Sequence, residues 1–148
     1  MTQLLNMLRL HEGLRLKPYF CTGGKRTIGY GWNMKDNALP VEIALHLHIY
    51  GEITQDQAEE LLIISAKRAQ DQCRTLYKGY DSFTGNRQDA LADFVFNVGI
   101  GTAKKFKKAN KAINEGRWND AADEMMDSLW YRQVPNRAKE IVKMIREG

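Results

Sequence analysis

From Thr54 to about Tyr77 apolar and small residues return at helical spacing for more than 20 residues: Ala58, Leu61, Leu62, Ser65, Ala69, Cys73 and Leu76 share one face. Thr54-Gln55-Asp56-Gln57 has the spacing of a capping box, which marks where that helix starts. A helix this long in a chain of 148 residues is the strongest constraint on the fold. It predicts an element that joins two lobes, with everything else arranged on either side of it.

Before it, Leu4, Leu5, Met7 and Leu8 form the apolar stripe of a short first helix, stopped by Gly13. Tyr19-Phe20-Cys21, the turn Thr22-Gly23-Gly24-Lys25 and the return Arg26–Trp32 read as a hairpin. Along that return Thr27, Gly29 and Gly31 would share one nearly bare face, with Ile28, Tyr30 and Trp32 on the other. Residues 40–51 alternate like a strand, yet Pro40 suits a first helical position and Gly51 a helix stop; the balance favours a short helix.

After the long helix every pattern is helical. Ala90, Leu91, Phe94, Val95 and Val98 make one stripe, ended by Gly99 and Gly101. A lysine-rich helix follows to near Gly116, another starts near Trp118, and Pro135 opens a last one carrying Ala138, Ile141, Val142 and Ile145. The expected fold class is α+β and mostly helical, as one two-lobed domain over 1–148. The small hairpin lobe spans about 13–53, the joining helix about 54–77, and the helical lobe about 78–148 plus helix 1. A cleft between lobes is the default place for a site.

Composition removes several classes. No apolar run approaches the roughly 20 residues a spanning helix needs. There is no biased tract or repeat, and 22 Lys+Arg against 18 Asp+Glu gives a net charge of only +4. That modest excess favours anionic polymers without marking a nucleic-acid binder. Two cysteines, Cys21 and Cys73, make no disulfide framework, and the N-terminus lacks a signal peptide's layout, so both thiols are expected free in a reducing cytoplasm. Cys73 falls on the long helix's apolar stripe and reads as core.

Glu12 is the first chemical candidate. It closes helix 1 beside the apolar stripe, where the helix's negative end and partial burial both disfavour an ionised carboxylate. A general acid needs that bias, though a surface glutamate at a helix end explains it as well. Glycine interrupting a strand, as at Gly29 and Gly31, marks close approach by a ligand or by another backbone.

Glu12-Gly13-Leu14-Arg15-Leu16, then Tyr19, Cys21, Thr22, Gly24 and Thr27-Ile28-Gly29-Tyr30-Gly31, resemble the opening of the phage-type lysozymes, the bacteriophage endolysins of glycoside hydrolase family 24. That family's motif is Glu, eight residues, Asp or Cys, five residues, Thr; Glu12, Cys21 and Thr27 match it. Gly51-Glu52-Ile53-Thr54, Phe94–Gly99 and Trp130–Ala138 resemble further family segments in order, and 36–50 fits least.

The resemblance implies a two-lobed lysozyme fold and inverting hydrolysis of the β-1,4 bond between N-acetylmuramic acid and N-acetylglucosamine in peptidoglycan. It implies Glu12 as acid, Thr27 as holder of the attacking water, and Cys21 in the place usually held by aspartate. Arg137 matches the arginine that reaches toward the catalytic glutamate; a helix-surface salt bridge is the alternative. Tyr19, Gly31, Trp32, Phe96 and Asn97 are the candidate sugar-binding residues, Phe96 having a core alternative. No cofactor and no metal ion are implied. His46, His48 and the distant His11 lack ligand spacing. The resemblance also implies a monomer that waits in the host cytoplasm until a holin opens the membrane, with neither stable membrane insertion nor a nucleic-acid partner.

Cys21 is the departure with most chemistry in it. A thiol of ordinary pKa, roughly 8.5, is only a few per cent ionised near neutrality. Lys25 and Arg26 would lower that pKa and a Glu12 carboxylate would raise it. The group could act as a base, as a lining group beside the water, or as a nucleophile forming a thioglycoside. With one carboxylate left, a lytic transglycosylase is an alternative activity, and a non-catalytic wall-binding module is an alternative of another class. Lys104, Lys105, Lys107, Lys108 and Lys111 read as a solvated face, or as attraction to anionic wall or lipid.

Overall fold

The structure is a computed structural model that describes residues 1–148. Nine α-helices and one three-stranded antiparallel sheet give the mostly helical α+β architecture that the periodicities predict. Two compact units are present. One comprises Thr2 and Leu4–Ser65, the other Met1, Gln3 and Ala66–Gly148, so the division falls inside the long helix.

In the first unit α1 (Thr2–Glu12) buries Leu4, Met7 and Leu8. Gly13 takes φ 71° just past its end and donates its N–H to Arg9 O at 3.0 Å. Helix α1 groups with the first unit. The Arg9 guanidinium grips Glu59, Nε to Oε1 at 3.0 Å and Nη2 to Oε2 at 2.6 Å, and so ties α1 to the start of the long helix.

Strands β1 (Arg15–Phe20), β2 (Arg26–Gly29) and β3 (Trp32–Asn33) lie in that order. Tyr19 pairs with Thr27 and Phe20 with Arg26 across the first hairpin; Ile28 pairs with Trp32 across the second. The return expected to run straight through 26–32 is therefore broken. Gly29 (φ 65°) and Gly31 (φ 74°) adopt left-handed backbone that side chains resist, and the chain reverses through Tyr30. The alternation of faces stops at that turn.

Helix α2 (Val41–Tyr50) is present, with Pro40 just outside its N-terminus and Gly51 closing it at φ 74°. Of its alternating apolar residues only Ile43 is buried, while Val41, Leu45 and Ile49 are exposed. Helix α3 (Gln55–Leu76) begins with the expected reciprocal cap: Thr54 N–H to Gln57 Oε1 at 2.9 Å and Gln57 N–H to Thr54 Oγ1 at 3.1 Å.

The second unit continues from α3 through a 3-10 turn (Tyr80–Ser82) into α4 (Gly85–Val98), α5 (Ile100–Lys104), α6 (Lys107–Asn114), α7 (Trp118–Met126), α8 (Leu129–Gln133) and α9 (Pro135–Glu147). Phe94 sits at its centre, edge-on to Phe106 at 4.9 Å and Trp130 at 4.8 Å. The lysine-rich stretch, expected as one helix, is two. Phe106 leaves helical geometry (φ −77°, ψ 57°) where its ring meets Phe94. Gly101 lies inside α5 and does not end a helix. No helix is long and apolar enough to cross a membrane.

Candidate active site

Glu12 and the hairpin belong to the same unit, and glycine geometry brings them together. A Cβ placed on Gly31 would stand 2.8 Å from Glu12 Oε2 and 2.9 Å from its Cδ. The carboxyl group thus lies against the Tyr30–Gly31 backbone, in space that only glycine leaves open. Gly29 behaves differently. A Cβ there would meet Ala58 Cβ at 3.6 Å and Ile53 Cδ1 at 3.7 Å, ordinary contacts with α3 and the residue before it, so the φ of 65° and not lack of space calls for glycine. The bare face expected of Thr27, Gly29 and Gly31 is not formed.

Tyr19 reports on the same neighbourhood. Burial pushes its hydroxyl pKa above the usual tyrosine value, the Glu12 charge adds to that, and Cys21 adds less. Arg15 works the other way and stacks its guanidinium 4.9 Å from the Tyr19 ring centre. Glu12, Tyr19 and Cys21 therefore share one electrostatic environment.

Cys21 opens the turn between β1 and β2, which closes through Cys21 N–H to Lys25 O at 3.0 Å and Gly24 N–H to Cys21 O at 2.8 Å. The thiol is half-buried as a residue and its pKa is held below the ordinary thiol value. Hydrogen bonding from the Lys25 backbone is the main cause, followed by the Gly23 backbone. Peptide dipoles do what the lysine and arginine charges were expected to do, while the Lys25 ammonium pairs with Asp36 Oδ2 at 2.7 Å. Thr27 is only 4% exposed and donates its hydroxyl proton to Lys25 O at 2.9 Å. With the proton so placed, the oxygen's lone pairs remain to accept one from a water.

Trp32, a candidate sugar contact, is 3% exposed and donates its indole N–H to Asn37 O at 3.2 Å. Beyond the turn its ring faces the core, which corrects that expectation. In the second unit Asn97 Oδ1 accepts the Trp130 indole N–H at 2.8 Å, which fixes the amide with its NH₂ donors available. Asn97 and Trp130 border a groove of about 790 Å³ that also takes in Leu129 and Gln133. Phe96, next to Asn97 on α4, is half-buried. Arg137 Nε bonds Asp93 Oδ1 at 2.7 Å, with side-chain exposures of 9% and 0%. The surface-bridge alternative for Arg137 is thereby replaced by a buried pair.

Residues 9–144 match the family described as Phage lysozyme. The chain belongs to that family. It is 30% identical to the probable T4-type lysozyme 2 of Dictyostelium discoideum over 99% of its own length and 95% of that protein's. It is 34% identical to an endolysin of Acyrthosiphon pisum secondary endosymbiont phage 1, covering 82% of this chain and 74% of the relative. The pre-baseplate central spike protein Gp5 of Enterobacteria phage T4 is 31% identical over 98% of this chain but only 28% of Gp5. Phage lysozyme membership makes the chain a glycosidase of lysozyme type that acts on the cell wall.

Two features of this family member escaped the sequence. Asp93 gives no sign in its helix of pairing with a residue 44 positions away. The Trp130–Asn97 bond, which orients a candidate ligand amide, links positions 33 apart. An aspartate between Ala92 and Phe94, within the run Ala90–Val95, is the one signal that could have prompted a search for Arg137.

Proposed function

We propose that the chain is a muramidase that hydrolyses the β-1,4 bond between N-acetylmuramic acid and N-acetylglucosamine, with inversion. The observation that carries this reading is the contact of the Glu12 carboxyl with Gly31, in the unit that also holds Cys21 and Thr27. An inverting glycosidase needs an acid at the leaving oxygen and a base-held water on the opposite face of the sugar.

Glu12 gives its proton to the glycosidic oxygen as the bond to the anomeric carbon breaks. A water, accepted by Thr27 Oγ1, attacks that carbon from the other face, and the Cys21 thiolate takes the water's proton. The products are a hemiacetal and an alcohol, with Glu12 left ionised and Cys21 protonated until solvent resets both. The lowered thiol pKa supports the base assignment, because it enlarges the ionised fraction near neutrality. Tyr19, Gly31, Asn97 and Phe96 bind the glycan in this reading. The chain works as a monomer, and the endolysin relatives support a role in host-cell lysis after release through a holin-opened membrane.

The test is digestion of purified peptidoglycan in heavy-oxygen water, read by mass spectrometry and by NMR of the first product anomer. One heavy oxygen at each new muramic acid reducing end, released first as the α-anomer, is expected. 1,6-Anhydro ends without label would instead identify a transglycosylase. Glu12→Gln should abolish clearing and leave wall binding intact; unchanged clearing would remove Glu12 from its role.

A further inference from the structure

The charge of the chain is unevenly placed. Residues 66–148 carry 16 Lys+Arg against 11 Asp+Glu, a net +5, whereas residues 1–65 carry 6 against 7. No acidic residue occurs between Asp93 and Glu115, and five lysines do. A solvated helix face would spread those lysines around one cylinder. The break at Lys105-Phe106 does something else.

Lys104 ends α5 and Lys107 begins α6. Lys111 stands one turn further along α6, four residues on and on the same side as Lys107. These three lysines line a concavity of about 550 Å³, and a fourth, Lys78, reaches it from the turn after α3. Lys78 is held there by its backbone N–H, which donates to Asn114 Oδ1 at 2.7 Å across 36 residues of sequence. The floor is fixed by Asn110, buried on α6, whose amide Nδ2 donates to Ala103 O at 2.9 Å and pins α5 to α6. Four lysines from three elements thus line one hollow.

Their counter-charge is small. Glu115 is the one carboxylate at the rim, 4.0 Å from Lys111 Nζ and shared with Arg117 Nε at 3.1 Å. Lys78, Lys104 and Lys107 make no ion pair. Like charges gathered in a concavity repel one another, and low-dielectric walls strengthen that field. A monovalent carboxylate would relieve it only once. An anion carrying two or more charges on one compact group relieves it several times, and lysine, a point charge with three donors, suits the tetrahedral oxygens of phosphate.

We propose that this hollow, lined by Lys78, Lys104, Lys107 and Lys111, is a binding site for phosphate groups of a polyanion; of the four only Lys107 also lines the groove that Asn97 and Trp130 border. The hollow gives the enzyme a second hold on phosphate-bearing surfaces.

The experiment titrates the full chain with sodium tripolyphosphate at low and high sodium chloride, by calorimetry and by amide chemical shifts. Citrate serves as a carboxylate of similar charge, and phosphatidylglycerol vesicles present the same phosphate chemistry on a lipid. Saturable tripolyphosphate binding is expected, with shifts clustered at 78 and 104–115 and affinity falling as salt rises. Lys104→Gln with Lys111→Gln should weaken it about tenfold, as expected for loss of two charge-assisted contacts. Lys139→Gln with Lys143→Gln on α9 removes the same charge elsewhere and should change it less than about twofold. Vesicle binding that falls with the same pocket variant assigns lipid headgroups as a source; vesicle binding absent beside strong tripolyphosphate binding assigns soluble or wall-borne phosphate, and both support the site. Equal loss in the two double variants, equal affinity for citrate, or no saturable binding would each overturn the proposal. Clearing of peptidoglycan by the pocket variant reports separately on the glycosidase.

Discussion

Gly31 and Glu12 occupy space that no side chain could share: a Cβ on Gly31 would stand 2.8 Å from Glu12 Oε2. The turn that breaks the second strand is thus also the wall against which the carboxyl rests. Gly31→Ala must push the carboxyl aside and also strain a backbone at φ 74°. The backbone effect alone should cost about 1–2 kcal/mol. Displacement of a catalytic acid by about 1 Å lowers turnover on the order of 100-fold. We expect Gly31→Ala to fold with a lower melting temperature and to lose most of its peptidoglycan-clearing rate. Retention of wild-type clearing would mean that the Glu12 position is not critical.

Cys21 should react and Cys73 should not. The Cys21 thiol is lowered by backbone hydrogen bonds, whereas burial pushes Cys73 up to about 12 with no exposed surface. Iodoacetamide should label Cys21 alone in the folded chain, its rate rising with pH through a midpoint below the ordinary thiol value. Labelling should abolish clearing. Cys21→Asp should keep or raise activity, and Cys21→Ala should lower it by about 10²–10⁴, the usual worth of a general base. Full activity of the alanine variant would make the thiol a bystander.

The elements that were legible in sequence are the ones fixed locally. The Thr54–Gln57 cap, the Gly13 stop and the Cys21–Thr27 hairpin each lie within a few residues, so spacing carries them. Trp32 is buried beside Ile28 and Tyr30, the residues that the alternation groups it with; its aromatic ring, not its position, suggested a sugar contact. The α5–α6 break was hidden because Phe106 leaves helical geometry to meet Phe94, a contact between elements. Lys78 joins the basic hollow, and Asp93 joins Arg137, through bonds that cross 36 and 44 residues. No local pattern encodes those.

Acid should weaken the tie between α1 and α3. Arg9 hydrogen bonding holds the Glu59 carboxyl below the ordinary glutamate value. A lowered folded-state pKa gives stability that is present above the unfolded value, about 4.5, and is lost as pH falls through the folded one. Both side chains keep about a third of their surface in water, so the pair contributes no more than about 1 kcal/mol. Comparing urea unfolding of wild type and Glu59→Gln should show that difference at pH 7 and none near pH 3. A difference independent of pH would assign the effect to packing.

Arg137 is the residue for which structure and resemblance ask different questions. Paired with a fully buried Asp93 at 2.7 Å, its removal leaves a carboxylate without water and without that guanidinium. Breaking a buried pair in this way typically costs about 3–5 kcal/mol. Arg137→Met should therefore lower stability by that order, and Arg137→Met with Asp93→Leu should recover much of it, since neither charge is then stranded. If the arginine also serves the reaction, the double variant will regain its melting temperature but not its clearing rate. Recovery of both would leave Arg137 a purely structural residue. A single variant as stable as wild type would show that the pair does not hold α4 to α9.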